Sequence, residues 1–167
     1  MIIEFIKNRR SIREYTEAEI PDDFIKQIIE AGAWAPSGLN NQPWRFVIVR
    51  AAAAKEKLAK LTRYSHIILN APVVIPVFLN NAVSYDRTKD TLAMGACIQN
   101  MLLAIHGLGL GGVWLGEILK NKETVGVLLD LPKEFELMAV VAMGHPKHTN
   151  QASDREPIEK LIVKWID

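Results

Sequence analysis

The longest helical pattern in the chain runs over residues 86–108, and its apolar residues do not keep to one face. Leu92, Met94, Ala96, Ile98, Met101, Leu102 and Ile105 are spread nearly all round it. A helix of that kind belongs in the middle of a domain or at a subunit interface, so the rest of the chain must be arranged to cover it. Cys97 lies within this helix and reads as a buried, inert thiol rather than a nucleophile.

Helical and extended patterns alternate around that centre. Ile2, Ile3, Phe5 and Ile6 form a short apolar helical face at the N-terminus. Pro21 opens a second helix, with Asp22 and Asp23 in the first turn where the dipole favours negative charge. Phe24, Ile25, Ile28 and Ile29 are its buried stripe. Ala31, Gly32, Ala33 and Ala35 follow. Such small residues admit a second backbone or a flat ligand, and core packing alone also accounts for them. Residues 45–50 read as a strand, 51–61 as a helix, and Asn70-Ala71-Pro72 as the turn before a strand over 73–79. Pro76 inside that run predicts an edge strand or a bulge. Asn121 is read as the cap of a helix reaching Leu129, closed by Leu131-Pro132. Residues 137–143 are a further strand, stopped by Gly144-His145-Pro146. Strands separated by helices predict an α+β or α/β layered fold, one domain over residues 1–167, with the long helix packed on a sheet.

Composition narrows the function. Apolar residues make up 49% and charged residues 23%, the balance of a folded globular chain. Twenty basic residues against nineteen acidic leave a net charge of +1, which argues against a nucleic-acid footprint. A single cysteine rules out an internal disulfide and a CxxC metal site, and it suits a reducing compartment. His106 has no partner at ligand spacing, and His145 and His148 read as loop residues, so no metal site is expected. The N-terminus lacks the basic and apolar regions of a signal peptide, and no tract supplies the roughly 20 apolar residues of a membrane span. A cytoplasmic protein is expected.

Three segments carry chemistry. Arg9-Arg10-Ser11-Ile12-Arg13 gathers three arginines in a nearly neutral chain. It is either a solvated basic turn or an anion site, in which forked guanidinium donors and the Ser11 hydroxyl meet a phosphate or carbonyl. The stretch Ala35-Pro36-Ser37-Gly38-Leu39-Asn40-Asn41-Gln42-Pro43-Trp44 separates a helix from a strand. Pro36 bars the helix, Gly38 permits unusual backbone angles, and Ser37, Asn40, Asn41 and Gln42 offer neutral donors and acceptors suited to the edge of a heterocycle. Gly107, Gly109 and Gly112 match the GxGxxG spacing, yet they close a helix and lead into an extended piece. A dinucleotide loop needs the opposite order, so that reading fails; the turn still brings the backbone at Leu115-Gly116 near the surface. After a polar stretch over 147–155, the apolar residues Ile158, Leu161, Ile162 and Trp165 must bury themselves on their own domain or on a partner subunit.

Taken together, in order, these blocks resemble the nitroreductase family of flavoproteins: the Arg9 to Arg13 cluster, Pro36 to Trp44, and Gly107-Leu108-Gly109 running to Trp114-Leu115-Gly116. A weaker match is Gly144-His145-Pro146 with Arg155-Glu156-Pro157. The resemblance implies a nitroreductase-like α+β fold, a mixed sheet flanked by helices. It also implies a homodimer holding FMN at the subunit interface. Arg9, Ser11 and Arg155 would hold the phosphate, with Arg10 in the same loop. Arg13 would lie toward the ribityl chain and the pyrimidine carbonyl. Pro36, Ser37, Gly38 and Asn40 would come from the other subunit to line the ring, and Leu115-Gly116 would approach N5. The implied activity is ping-pong reduction of a nitroaromatic, quinone or similar acceptor by NADH or NADPH, with no side chain acting as acid or base. A flavin-binding carrier, sensor or interaction module without nicotinamide turnover is the alternative. The chain is short for this family, whose longer members carry extra helices over the substrate channel; only residues 64–69 and 80–87 offer material for one.

Overall fold

The computed structural model describes residues 1–166, built on one four-stranded sheet with helices on both faces. The strands are β1 (Trp44–Phe46), β2 (Val73–Asn80), β3 (Gly111–Leu115) and β4 (Phe135–Gly144), in the order β1-β2-β4-β3. All three strand pairs are antiparallel. A parallel bridge between Ser11 and Gly112 extends the sheet along the outer edge of β3, and only there is the sheet mixed.

The inner strands β2 and β4 show why the core has two halves. Val73, Ile75, Val77 and Leu79 of β2 and Ala139, Val141 and Met143 of β4 face one side. Val74, Phe78, Leu137, Val140 and Ala142 face the other. The period of two sorts them, and the register shift at Val77 and Phe78 inserts Met138 as the extra residue of a bulge in β4. On the first face lie α2 (Asp22–Ala33) and α5 (Arg87–Gly107). On the second lie α3 (Ala52–Ala59), α4 (Ser65–Asn70), a 3-10 turn over Glu117–Asn121, and α6 (Lys122–Leu128).

The long helix is where its pattern placed it, and Asp86 caps it by accepting from the Lys89 N–H at 2.9 Å. Met94, Cys97, Ile98, Met101 and Ile105 are buried. Helix α2 lies against it, Gly32 meeting Met101 and Cys97, so close helix packing explains the small residues there. One side of α5 stays partly open, and Leu92 is 70% exposed.

Two local expectations are corrected, for the strand over 45–50 and for Asn121, and two either-or readings are narrowed. Of the edge or bulge expected at Pro76, the edge is excluded because β2 is an inner strand, and a bulge does fall beside it, at Val77 and Phe78. The Pro76 carbonyl accepts from the Val47 N–H at 3.1 Å, and the missing donor falls just where β1 has ended. The strand expected over 45–50 is shorter, continuing past Phe46 only as a bridge from Val49 to Val74. Asn121 stands at the N-cap position of α6 without capping it, because its side-chain amide donates to the Leu61 carbonyl at 2.7 Å. Of the two seats expected for the tail, its own domain is excluded: around α7 (Ile158–Leu161), Ile158, Leu161, Val163 and Trp165 are all largely exposed.

Candidate functional site

The basic cluster follows α1 (Ile2–Asn8) and is laid against β3 as an extra strand. The Ile12 N–H donates to the Gly112 carbonyl at 3.1 Å. This contact needs Gly111, because a Cβ there would stand 2.6 Å from the Ile12 side chain. Gly111 therefore serves a close approach of two backbone segments, and Arg9 to Arg13 ride on that approach.

Within the cluster the arginines divide their work. Arg10 is spent internally: its guanidinium donates to the carbonyls of Lys7, Arg9 and Gln151, closing α1 and tying residue 151 to the loop. Arg9 is different. Its Nε is buried and has no hydrogen-bond partner. Burial, then the charges of Arg155 and Arg10, push its guanidinium below its ordinary pKa. Arg155 donates only to Ser153 and to the Asp154 carbonyl. The arginines that pair with carboxylates, Arg50, Arg63 and Arg87, lie elsewhere. Among the described residues none of Arg9, Arg10 and Arg155 is paired with a carboxylate, and a forked, partly desolvated donor set of this kind fits a phosphate.

Arg13 opens onto a cavity of about 260 Å³ lined also by Tyr64, Trp114, Leu115, Gly116 and Glu117. The expected positions Arg13, Leu115 and Gly116 are therefore neighbours. Glu117 was not foreseen from the sequence. It accepts from Thr62 Oγ1 at 2.7 Å, the Arg63 N–H at 3.0 Å and Lys120 Nζ, and its carboxyl is held down to about 2, by Lys120 first and Thr62 second. Thr62 is 55 residues away in sequence, so no local spacing could reveal the pairing. A larger cavity of about 520 Å³, lined by residues of α6 and the start of β4, contains none of the expected site residues.

Pro36, Ser37, Gly38 and Asn40 form a separate group. They lead through a 3-10 turn over Gly38–Asn40 into β1, the opposite edge of the sheet from β3. Three interstrand spacings, about 14 Å, divide the two edges. The groups are also offset along α5, which spans about 31 Å: Asn41 is tied to Asp90 near its start, whereas Gly112 follows its end. One chain does not bring its two groups of expected residues together.

The loop itself is held in an unusual shape. Leu39, Asn40 and Gln42 have φ of 55, 54 and 45°, the left-handed region that ordinary residues avoid. Gly38 lies directly under Tyr85, and a Cβ there would stand 1.9 Å from the Tyr85 hydroxyl. Ser37 Oγ accepts from the Gln42 N–H at 3.1 Å, closing the loop on itself.

Of the two segments that had offered material for a channel cover, residues 64–69 form most of α4, whose Ile67 and Ile68 are buried in the core. Residues 80–87 form a bend whose Ser84 and Tyr85 are bound to Asp90.

Comparison with known proteins places the fold and the family. A family model described as the nitroreductase family matches residues 6–64 and 62–145. A protein of Archaeoglobus fulgidus named NADH dehydrogenase/NAD(P)H nitroreductase is 33% identical, covering 98% of both chains. A protein of the same name from Methanothermobacter thermautotrophicus is 31% identical over 98% of this chain and 87% of its own. A solved structure from Desulfovibrio desulfuricans, described as a nitroreductase in complex with FMN, superposes with a TM-score of 0.94 at 44% identity, covering 99% of this chain and 97% of its own.

Proposed function

This chain belongs to the nitroreductase family, and from that premise we propose that it is an FMN-dependent oxidoreductase fed by NADH or NADPH. The observation that carries the reading is Arg9: a buried guanidinium nitrogen without a partner, beside two further arginines and, among the described residues, paired with no carboxylate. Bound there, FMN would supply the redox chemistry that links a nicotinamide donor to a nitroaromatic, quinone or similar acceptor.

The chain's own residues bind and tune it. Arg9, Arg155 and Ser11 hold the phosphate, and Arg10 braces their loop. Arg13 puts positive charge where the reduced ring becomes anionic, and the Leu115-Gly116 backbone borders the N5 edge. Pro36, Ser37, Gly38 and Asn40 line the ring from a second copy of the chain. Two findings support the homodimer. The two groups of site residues lie on opposite edges of one sheet, and each protomer leaves Ile2, Trp34, Leu92 and Trp165 exposed. Donor and acceptor use one pocket in turn, which gives ping-pong kinetics.

An anaerobic absorbance titration of the FMN-loaded protein with NADH and then NADPH tests the proposal. Bleaching of the oxidised flavin band by either donor is the expected result. A protein that binds FMN and stays yellow with both is a carrier or sensor instead.

A further inference from the structure

The structure carries a buried carboxylate that the redox reading does not use. Asp90 sits in the first turn of α5 with its side chain fully buried. All its side-chain partners are neutral. Oδ2 accepts from Ser84 Oγ at 2.6 Å and from the N–H groups of Tyr85 and Asp86 at 3.1 and 3.3 Å. Oδ1 accepts from Asn41 Nδ2 at 2.7 Å. Asn41 Nδ2 also donates to the Val83 carbonyl at 3.1 Å. One carboxylate therefore ties two loops to the start of the long helix.

The arrangement is costly unless it does something for those loops. Burial alone raises the Asp90 pKa, and the donors from Ser84, Asn41, Asp86 and Tyr85 outweigh it, leaving the group ionised with a lowered pKa. Replacing the carboxylate leaves those donors short of an acceptor. Beside it stand Leu39, Asn40 and Gln42, with three left-handed backbones, and Gly38 under the Tyr85 ring. Such a backbone persists only where its surroundings over-determine it. The surroundings here are the Asp90–Asn41 bond below and Tyr85, whose own N–H is bound to Asp90, above.

We propose that Asp90 is a positioning residue that acts through Asn41 to hold residues 36–42 in the strained shape presenting Ser37, Gly38 and Asn40 to the flavin ring of the partner subunit. The inference rests on the reading of that loop as ring-lining. It assigns Asp90 no contact with the flavin.

The test uses the intact FMN-loaded protein and two near-isosteric variants, Asp90→Asn and Asn41→Leu. FMN affinity is measured, and visible circular dichroism of the bound flavin is recorded at saturating FMN. Each variant should weaken FMN by about tenfold and alter the dichroism of flavin that is bound. The double variant should add little to either single one, because both break the same link. Val125→Ala, a comparable loss of core packing far from the loop, should lower Tm and leave the bound-flavin spectrum unchanged. Wild-type affinity and dichroism in Asp90→Asn overturn the proposal. Should Asp90→Asn fail to fold, Asn41→Leu decides, since it leaves the other three bonds of Asp90 intact. Failure of the wild type to bind FMN removes the flavin reading itself and the proposal with it.

Discussion

Arg9 brings a permanent charge into a half-buried position and is left without a partner for Nε. A side chain that stays protonated under all ordinary conditions cannot relieve such a position by titrating, so the relief must come from an anion. Arg9→Ala should remove a charge-assisted contact worth about 1.5–3 kcal/mol and weaken FMN by about tenfold to a hundredfold, as read from a fluorescence titration. Unchanged affinity would mean the cluster is a solvated turn. Arg10→Ala should act differently, loosening the loop and lowering Tm because its bonds are to three backbone carbonyls. Glu117 gives a pH prediction at the same scale. Its pKa falls from 4.5 to about 2 on folding, so its contribution is present above pH 4.5 and is lost as pH falls through about 2. In Glu117→Gln the decline in Tm over that interval should be shallower than in the wild type. An equal decline would show that other carboxylates dominate acid unfolding.

At the scale of elements, the open side of α5 is the feature the protomer leaves unresolved. Leu92 is exposed, and Ala96 and Leu103 on the same side of the helix are only half-buried, which suits a face covered by a second copy. Leu92→Asp should raise the dimer dissociation constant by at least about tenfold, measured by sedimentation. A dimer as tight as the wild type would place the interface elsewhere. The same helix shows how far the sequence could be read. Its burial was legible because apolar residues on all sides leave no alternative, and the strand over 137–143 was legible as well. Pro76 was left between an edge and a bulge because a proline rule concerns one missing N–H and cannot tell that β1 stops opposite it and that the register shifts beside it. Asn121 was misjudged because its amide finds Leu61, 60 residues away, a partner absent from any local window. Asp90 was invisible too: an acid in a helix's first turn reads as a complement to the dipole, and only the folded loops around it reveal a clamp. The site motifs were legible as chemistry, since guanidinium and amide groups advertise what they bind. Their division between the two edges of the sheet is a property of strand order, which spacing does not encode.

For the whole molecule, that division has a consequence that mixing experiments reach directly. If each flavin takes Arg9 from one subunit and the loop around Gly38 from the other, two variants broken in different halves can repair one another. Arg9→Ala disables the phosphate side. Gly38→Phe disables the loop, because so bulky a side chain must push aside the Tyr85 ring that stands over Gly38 and fill the ring-lining face. In a heterodimer of the two, one site inherits both defects and the other inherits neither. Random pairing makes half of all dimers mixed, so about a quarter of the sites should bind FMN as the wild type does, although each variant alone binds poorly. Unfolding and refolding the two variants together, then titrating FMN, reads this as a tight-binding fraction absent from either parent. A site built within one chain predicts no such fraction, because every site would then carry one defect or the other whatever the pairing.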